Sequence, residues 1–152
     1  MARINATAVL LAASLASACL DSSGPNPGEQ IYEASLAQWN SDGPESYDMI
    51  LRRQTIGANP DLRVEISVRN GVVTSRFYFE TDIPVAPADE SKYPDIPGLF
   101  DFVKDAMDGD PFLLATTYDE TWGYPSEVQY DETAGSTSDN VIFTVVEFTV
   151  VE

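Results

Sequence analysis

The chain has 152 residues, 43% of them hydrophobic and 11% aromatic, which is enough for one packed core and too much for a disordered segment. Eight basic against 25 acidic residues give a formal charge of -17, which opposes approach to phosphate backbones and anionic headgroups and excludes nucleic acid as a partner. With no His and a single Cys, the chain can build neither a His-assisted Ser or Cys nucleophile nor a zinc site of His and Cys, and no cofactor is expected.

Met1, Ala2 and Arg3 form a short positive start. An apolar run from Ala6 to Leu15 follows and ends in Ala16, Ser17 and Ala18, the layout of a secretory signal peptide. The run falls well short of the roughly 20 residues that cross a bilayer, and no later segment is long and uncharged enough. There is no twin-arginine pair, which favours the general secretory route. Cys19, the only thiol, stands directly behind the small residues, and a lone exported Cys has no disulfide partner to explain it. Leu15 to Cys19 resembles a lipobox, which implies a diacylglyceryl group on the Cys19 thiol and cleavage just before it. Ala16 stands where such signals usually carry Leu, Val or Ile. Ala16, Ser17 and Ala18 also fit an ordinary A-x-A cleavage site, whose use would release a soluble protein. The stretch Leu20 to Gly28, rich in Ser, Gly, Pro and Asn, reads as a flexible tether. Residues 1-18 are therefore expected as a signal peptide, 19-28 as lipidated Cys and tether, and 29-152 as one domain. Leu20, a residue other than Asp after the lipidated Cys, resembles the outer-membrane sorting class of a cell with two membranes.

Within the domain, Asn26 can cap a helix opened by Pro27, with Tyr32, Leu36 and Trp39 on one face and Gly43, Pro44 as its stop. Tyr47, Met49 and Leu51 alternate with Asp48 and Arg52, the period of a half-buried strand. Asn70, Gly71 predicts a two-residue type I′ hairpin turn. Pairing outward from it sets Val68 by Val73, Ile66 by Ser75, Val64 by Phe77 and Leu62 by Phe79 on an oily face, with Glu65 meeting Arg76 and Arg63 meeting Tyr78 on the other. Glu80 to Asp95, with Pro84, Pro87 and Pro94, reads as a loop. A second helix follows from Pro97, placing Leu99, Phe100, Val103, Ala106 and Met107 on one side, and Gly109 stops it. Phe112 to Tyr118, Ser126 to Tyr130 and Val141 to Val151 read as strands. The expected fold is α+β, in the order αβββαβββ, with two helices packed on one face of a mainly antiparallel sheet of about six strands.

Several of these residues together carry a resemblance. The Trp-ended helix, Ser46 and Tyr47, Val72 and Val73 after Asn70 and Gly71, Leu99 and Phe100, and Tyr118, Asp119 with Gly123, Tyr124, Pro125 resemble a family of bacterial lipoproteins whose domain has no assigned function. The resemblance runs from about Glu29 onward and implies an anchored envelope protein without a known activity. Many members carry Cys residues after the first strand, where this chain has Gln54, Thr55 and Ile56, so no role of those cysteines carries over.

Three constellations could carry chemistry. Asp119 with Asp131 could form a carboxylate pair of the glycosidase kind, although such pairs arise readily in so acidic a chain. Asp131, Glu132 and Asp139 flank one loop, and Asp108 and Asp110 flank Gly109, but neither has the spacing of a calcium loop, so no metal site is expected. Trp122 and Tyr124, around Gly123 and before Pro125, could anchor a peptide or stack on a sugar, or fold back to plug the end of the core. The expected function is a membrane-anchored extracytoplasmic binding or accessory module of the cell envelope, with a protein or wall polymer as partner. The alternatives are a small carboxylate-dependent hydrolase and a calcium-responsive module.

Overall fold

In the computed structural model, which describes residues 26–55, 62–136 and 140–152, the chain enters through the side chain of Asn26. Its Oδ1 accepts from the Glu29 amide at 2.9 Å, its carbonyl accepts from the Gln30 amide, and Pro27 has no N–H to satisfy at the start of helix α1 (Pro27–Asp42). It ends where the Gly43 amide donates to the Trp39 carbonyl. The strands are β1 (Tyr47–Gln54), β2 (Leu62–Arg69), β3 (Val72–Tyr78), β4 (Ile83–Pro84), β5 (Leu113–Tyr118), β6 (Pro125–Asp131) and β7 (Asn140–Val150). Helix α2 (Ile96–Asp108) lies between β4 and β5, capped by Asp95, whose carboxylate accepts from the Gly98 amide at 3.1 Å. Neither helix is long and apolar enough to cross a membrane.

All pairings are antiparallel, in the order β4-β3-β2-β1-β7-β6-β5. The fold is therefore α+β, with seven strands in place of about six. The added strand is the two-residue β4, inside the segment expected to be all loop, where Ile83 and Pro84 pair with Tyr78 and Phe77. Pro84 has no N–H to extend the ladder, which keeps this strand short. A single 3₁₀ turn at Glu90–Lys92 follows, and α2 then carries the chain from one sheet edge to the other.

The core lies between the sheet and both helices. Tyr47, Met49 and Leu51 of β1 and Val64, Ile66 and Val68 of β2 are all at most 2% exposed. Ile96, Leu99, Phe100 and Val103 of α2 cover them from above. Each such side chain contributes about 1.5–3 kcal/mol by leaving water. On α1 the buried residues are Tyr32, Ser35 and Trp39. Leu36, expected on that face, is only partly buried, because a turn from the far end of the chain lies over Ser35.

The hairpin turn forms as the sequence predicts, with Asn70 and Gly71 at φ 51° and 73°. Beyond Val68 and Val73, however, the register shifts by one residue, and Ser67 pairs with Ser75, Ile66 with Arg76, Glu65 with Phe77 and Val64 with Tyr78. Thr74 is the extra residue, and its hydroxyl donates to the Ser67 carbonyl at 3.1 Å. A slip of one turns every later side chain over. Arg76 and Tyr78 therefore take the helix-covered face, and Phe79 ends 44% exposed on the other. Arg76 is accommodated because its Nε donates to the Tyr93 carbonyl at 2.9 Å, beneath the loop that precedes α2.

Arg76→Ala should leave that covered carbonyl unpaired and cost about 1.5–3 kcal/mol in denaturant unfolding. Arg63→Ala, which removes an exposed pair with Glu80 and a surface contact with the Phe79 ring, should cost no more than about 1 kcal/mol. Equal losses would contradict the bulged register.

Candidate functional site

The turn between β5 and β6 is built on Asp119. Its Oδ1 accepts from the amides of Thr121 at 3.0 Å and Trp122 at 2.7 Å, while its carbonyl accepts from Gly123 at 2.9 Å. Gly123 has φ 79°, a conformation that costs other residues about 1–2 kcal/mol. It also faces α1 closely, since a Cβ there would lie 2.7 Å from the Ser35 carbonyl and 3.0 Å from Gln38 Cβ. Gln38 fastens the contact by donating from Nε2 to the carbonyls of Glu120 at 3.2 Å and Thr121 at 3.0 Å.

This clamp sets the two candidate aromatics. Tyr124 is 8% exposed, stacks on Phe148 with centroids 4.7 Å apart and meets Trp39 edge-on at 6.2 Å. Trp122 is partly buried against the same core. Both rings thus point inward, with Tyr124 the deeper. Cys19 lies outside the described residues, as does Asp139.

The two carboxylates of the hydrolase alternative do not converge. Asp131 pairs with Leu113 at one end of β5, while Asp119 follows Tyr118 at the other. At about 3.3 Å of rise per residue they stand roughly 17 Å or more apart, against the roughly 5–9.5 Å that glycoside hydrolysis requires. Asp119 is moreover occupied as the acceptor of the turn. Asp108 holds the Lys104 ammonium, and Asp110 turns the chain at φ 52°. Among the described residues no three acidic side chains gather closely enough to hold a metal.

A feature that sequence reasoning missed is a groove of about 330 Å³ between the helices and edge strand β5. Ile31 of α1, Val103 and Met107 of α2, and Leu114, Thr116 and Tyr118 of β5 line it. The burial alternation of β5 forms one wall, with Leu114, Thr116 and Tyr118 turned in and Leu113, Ala115 and Thr117 out. Phe112 at 65%, Ile31 at 56% and Leu113 at 43% exposure leave oily surface at its end. The run Phe112, Leu113, Leu114 was the available signal, but the opposing wall comes from distant parts of the chain.

Several tyrosines of the core are poor acids. Burial pushes Tyr93, Tyr118 and Tyr124 up to about 12, and Tyr47 further. For Tyr124 the negative charge of Asp119 adds to burial.

Helix layer, sheet and clamped turn together define an α+β domain built on one antiparallel sheet, with a groove at one sheet edge. The chain belongs to a family of unknown function (DUF6174), whose profile matches residues 32–150, from α1 to the end of β7. No curated protein and no solved structure matches the chain.

Two outcomes follow. Gly123 and Gly135 share nearly the same φ, 79° and 80°, but Gly135 has nothing within 4 Å of its Cβ position. Gly135→Ala should cost about 1–2 kcal/mol, from backbone strain alone. Gly123→Ala should cost at least 1 kcal/mol more in urea unfolding, because the turn must also leave α1. The second concerns pH. Because the folded tyrosines hold their protons more tightly than the unfolded ones, their contribution to stability is complete below pH 10 and lost as pH rises from 10 through 12. Tyr124→Phe keeps the ring contacts and should reduce the slope of stability against pH in that window.

Proposed function

We propose that the protein is a membrane-anchored extracytoplasmic lipoprotein whose folded domain is a binding or accessory module of the cell envelope. The observation that carries this reading is Cys19, the only thiol, directly behind Ala16, Ser17 and Ala18 at the end of an apolar run. Several acyl chains on one Cys, at about 0.8 kcal/mol per buried CH₂, hold a protein at a bilayer durably. Leu20 directs the anchored chain to the outer membrane in a cell that has two. The separation of Asp119 from Asp131 supports a binding module over a carboxylate hydrolase.

Cys19→Ala should move the protein from the membrane fraction to the soluble one, and the mature parent should carry acyl mass, including palmitate, at its amino terminus. A parent that is already soluble and has an unmodified mature mass would refute the anchor.

A further inference from the structure

We infer that the edge of β5, which no strand of the described residues covers, is with the groove beside it a docking site for an extended, lysine- or arginine-bearing segment of a partner protein, which adds to the sheet as an eighth strand. The inference rests on the reading of the domain as a binding module and names the chemistry of its partner.

The two edges of the sheet are finished differently. At one, β4 is only two residues long and ends in Pro84, so little ladder is offered. At the other, β5 runs six residues, Leu113–Tyr118, with no charge and no proline. Edge strands of soluble proteins are normally guarded by just those devices, and an unguarded one is a template for a further strand. The Phe112 amide donates inward to the Glu132 carbonyl. By the period of two, the polar backbone groups of Leu113 and Ala115 therefore face away from β6. An added strand would bond to these and lay alternate side chains over the groove lined by Ile31, Met107, Leu114 and Tyr118.

Charge selects the occupant. No Lys or Arg occurs after Lys104, and the acids Asp110, Asp119, Glu120, Glu127, Asp131 and Glu132 all belong to β5, β6 and their connections. Lys104 is held by Asp108. The arginines of the described residues sit on β1, β2 and β3, in the other half of the sheet. A second copy of this chain would bring the same acids against themselves, whereas a basic strand gains attraction at long range and backbone bonds on contact.

The test uses the full mature chain in detergent, with a fluorescent ten-residue peptide alternating Val and Lys, titrated by anisotropy. Binding should weaken at least tenfold for the Val and Glu counterpart, and for a Lys-matched peptide interrupted by prolines. Ala115→Pro removes one outward N–H and should lower affinity at least tenfold while the melting temperature stays close to the parent's. Exposed Ala115 also permits charge variants that leave the backbone intact, and Ala115→Glu should bind tighter than the parent and Ala115→Lys weaker. Equal binding of the proline-interrupted peptide would mean charge attraction alone and overturn the proposal. It would equally be overturned by a parent dimer that Ala115→Pro dissociates, or by a Cys19→Ala chain that binds anionic vesicles through this edge in place of the peptide. Because Cys19 fractionation is read separately, the anchor can stand while strand docking fails, and the reverse.

Discussion

The arrangement depends on one aromatic block. Trp39 of α1, Tyr47 of β1, Phe148 of β7 and Tyr124 of the β5–β6 turn meet at centroid distances of 4.7 to 6.2 Å, with Trp39 edge-on to the other three. Such contacts add about 0.5–1.5 kcal/mol each beyond the area they bury. The block matters most to α1, which has few other means of attachment, since Tyr32, Ser35 and Trp39 are its only buried residues. It forms because Gly123 lets a turn more than eighty residues away in sequence lie against the Ser35 carbonyl, with Gln38 bonded to the same turn. A helix of weak amphipathicity is thus fixed by long-range contacts, and the two ends of the domain are tied together.

How much of this was legible depends on the range of the signal. Local signals were read correctly, including the Asn26 cap, the Asn70, Gly71 turn and the alternation in β1, because each is decided within a few residues. The hairpin register was not, since periodicity counts residues evenly and cannot show that Thr74 is bulged out. The same limit misplaced Leu36 above Ser35: the pattern on α1 was ambiguous until the Gly123 turn chose a face. At the candidate site, the deeper ring is that of Tyr124, the residue whose backbone Pro125 restricts. The half-burial of Trp122 depends on the clamp to α1, which no local pattern records. The groove was invisible for the same reason, being walled by α1, α2 and β5 together.

The charge pattern follows from the same division. The basic residues of β1, β2 and β3 are mostly engaged by groups of the same chain. Arg69 pairs with Asp48, Arg63 with Glu80, and Arg76 bonds the Tyr93 carbonyl and faces Glu90. Arg52 and Arg63 even stand opposite each other in the ladder, a like-charge pairing relieved by Arg52 turning to Thr144 and Arg63 lying over the Phe79 ring. The acids of the other half have few such partners. A net charge of -17 is therefore not spread evenly, and the half of the sheet holding β5 and β6 carries a concentrated negative field.

That field and the bare edge explain each other. The inward side chains of β5 are demanded by packing, since Tyr118 stacks on Phe100 at 6.3 Å and Leu114 joins the core margin, so no charge can be placed there. The outward positions Leu113, Ala115 and Thr117 are under no such demand and could have carried Lys or Glu, the cheapest protection an edge can have. They do not. At the opposite edge the chain is pulled into the core at once, with Val85 4% exposed and its amide donating to the Arg76 carbonyl, and the exposed ladder ends after two residues. An unprotected β5 is tolerable here because the surrounding acids repel other copies of the same surface. The same acids leave the edge open to a strand of opposite charge, so that one feature of the composition accounts both for the absence of protection and for the kind of segment the edge can accept.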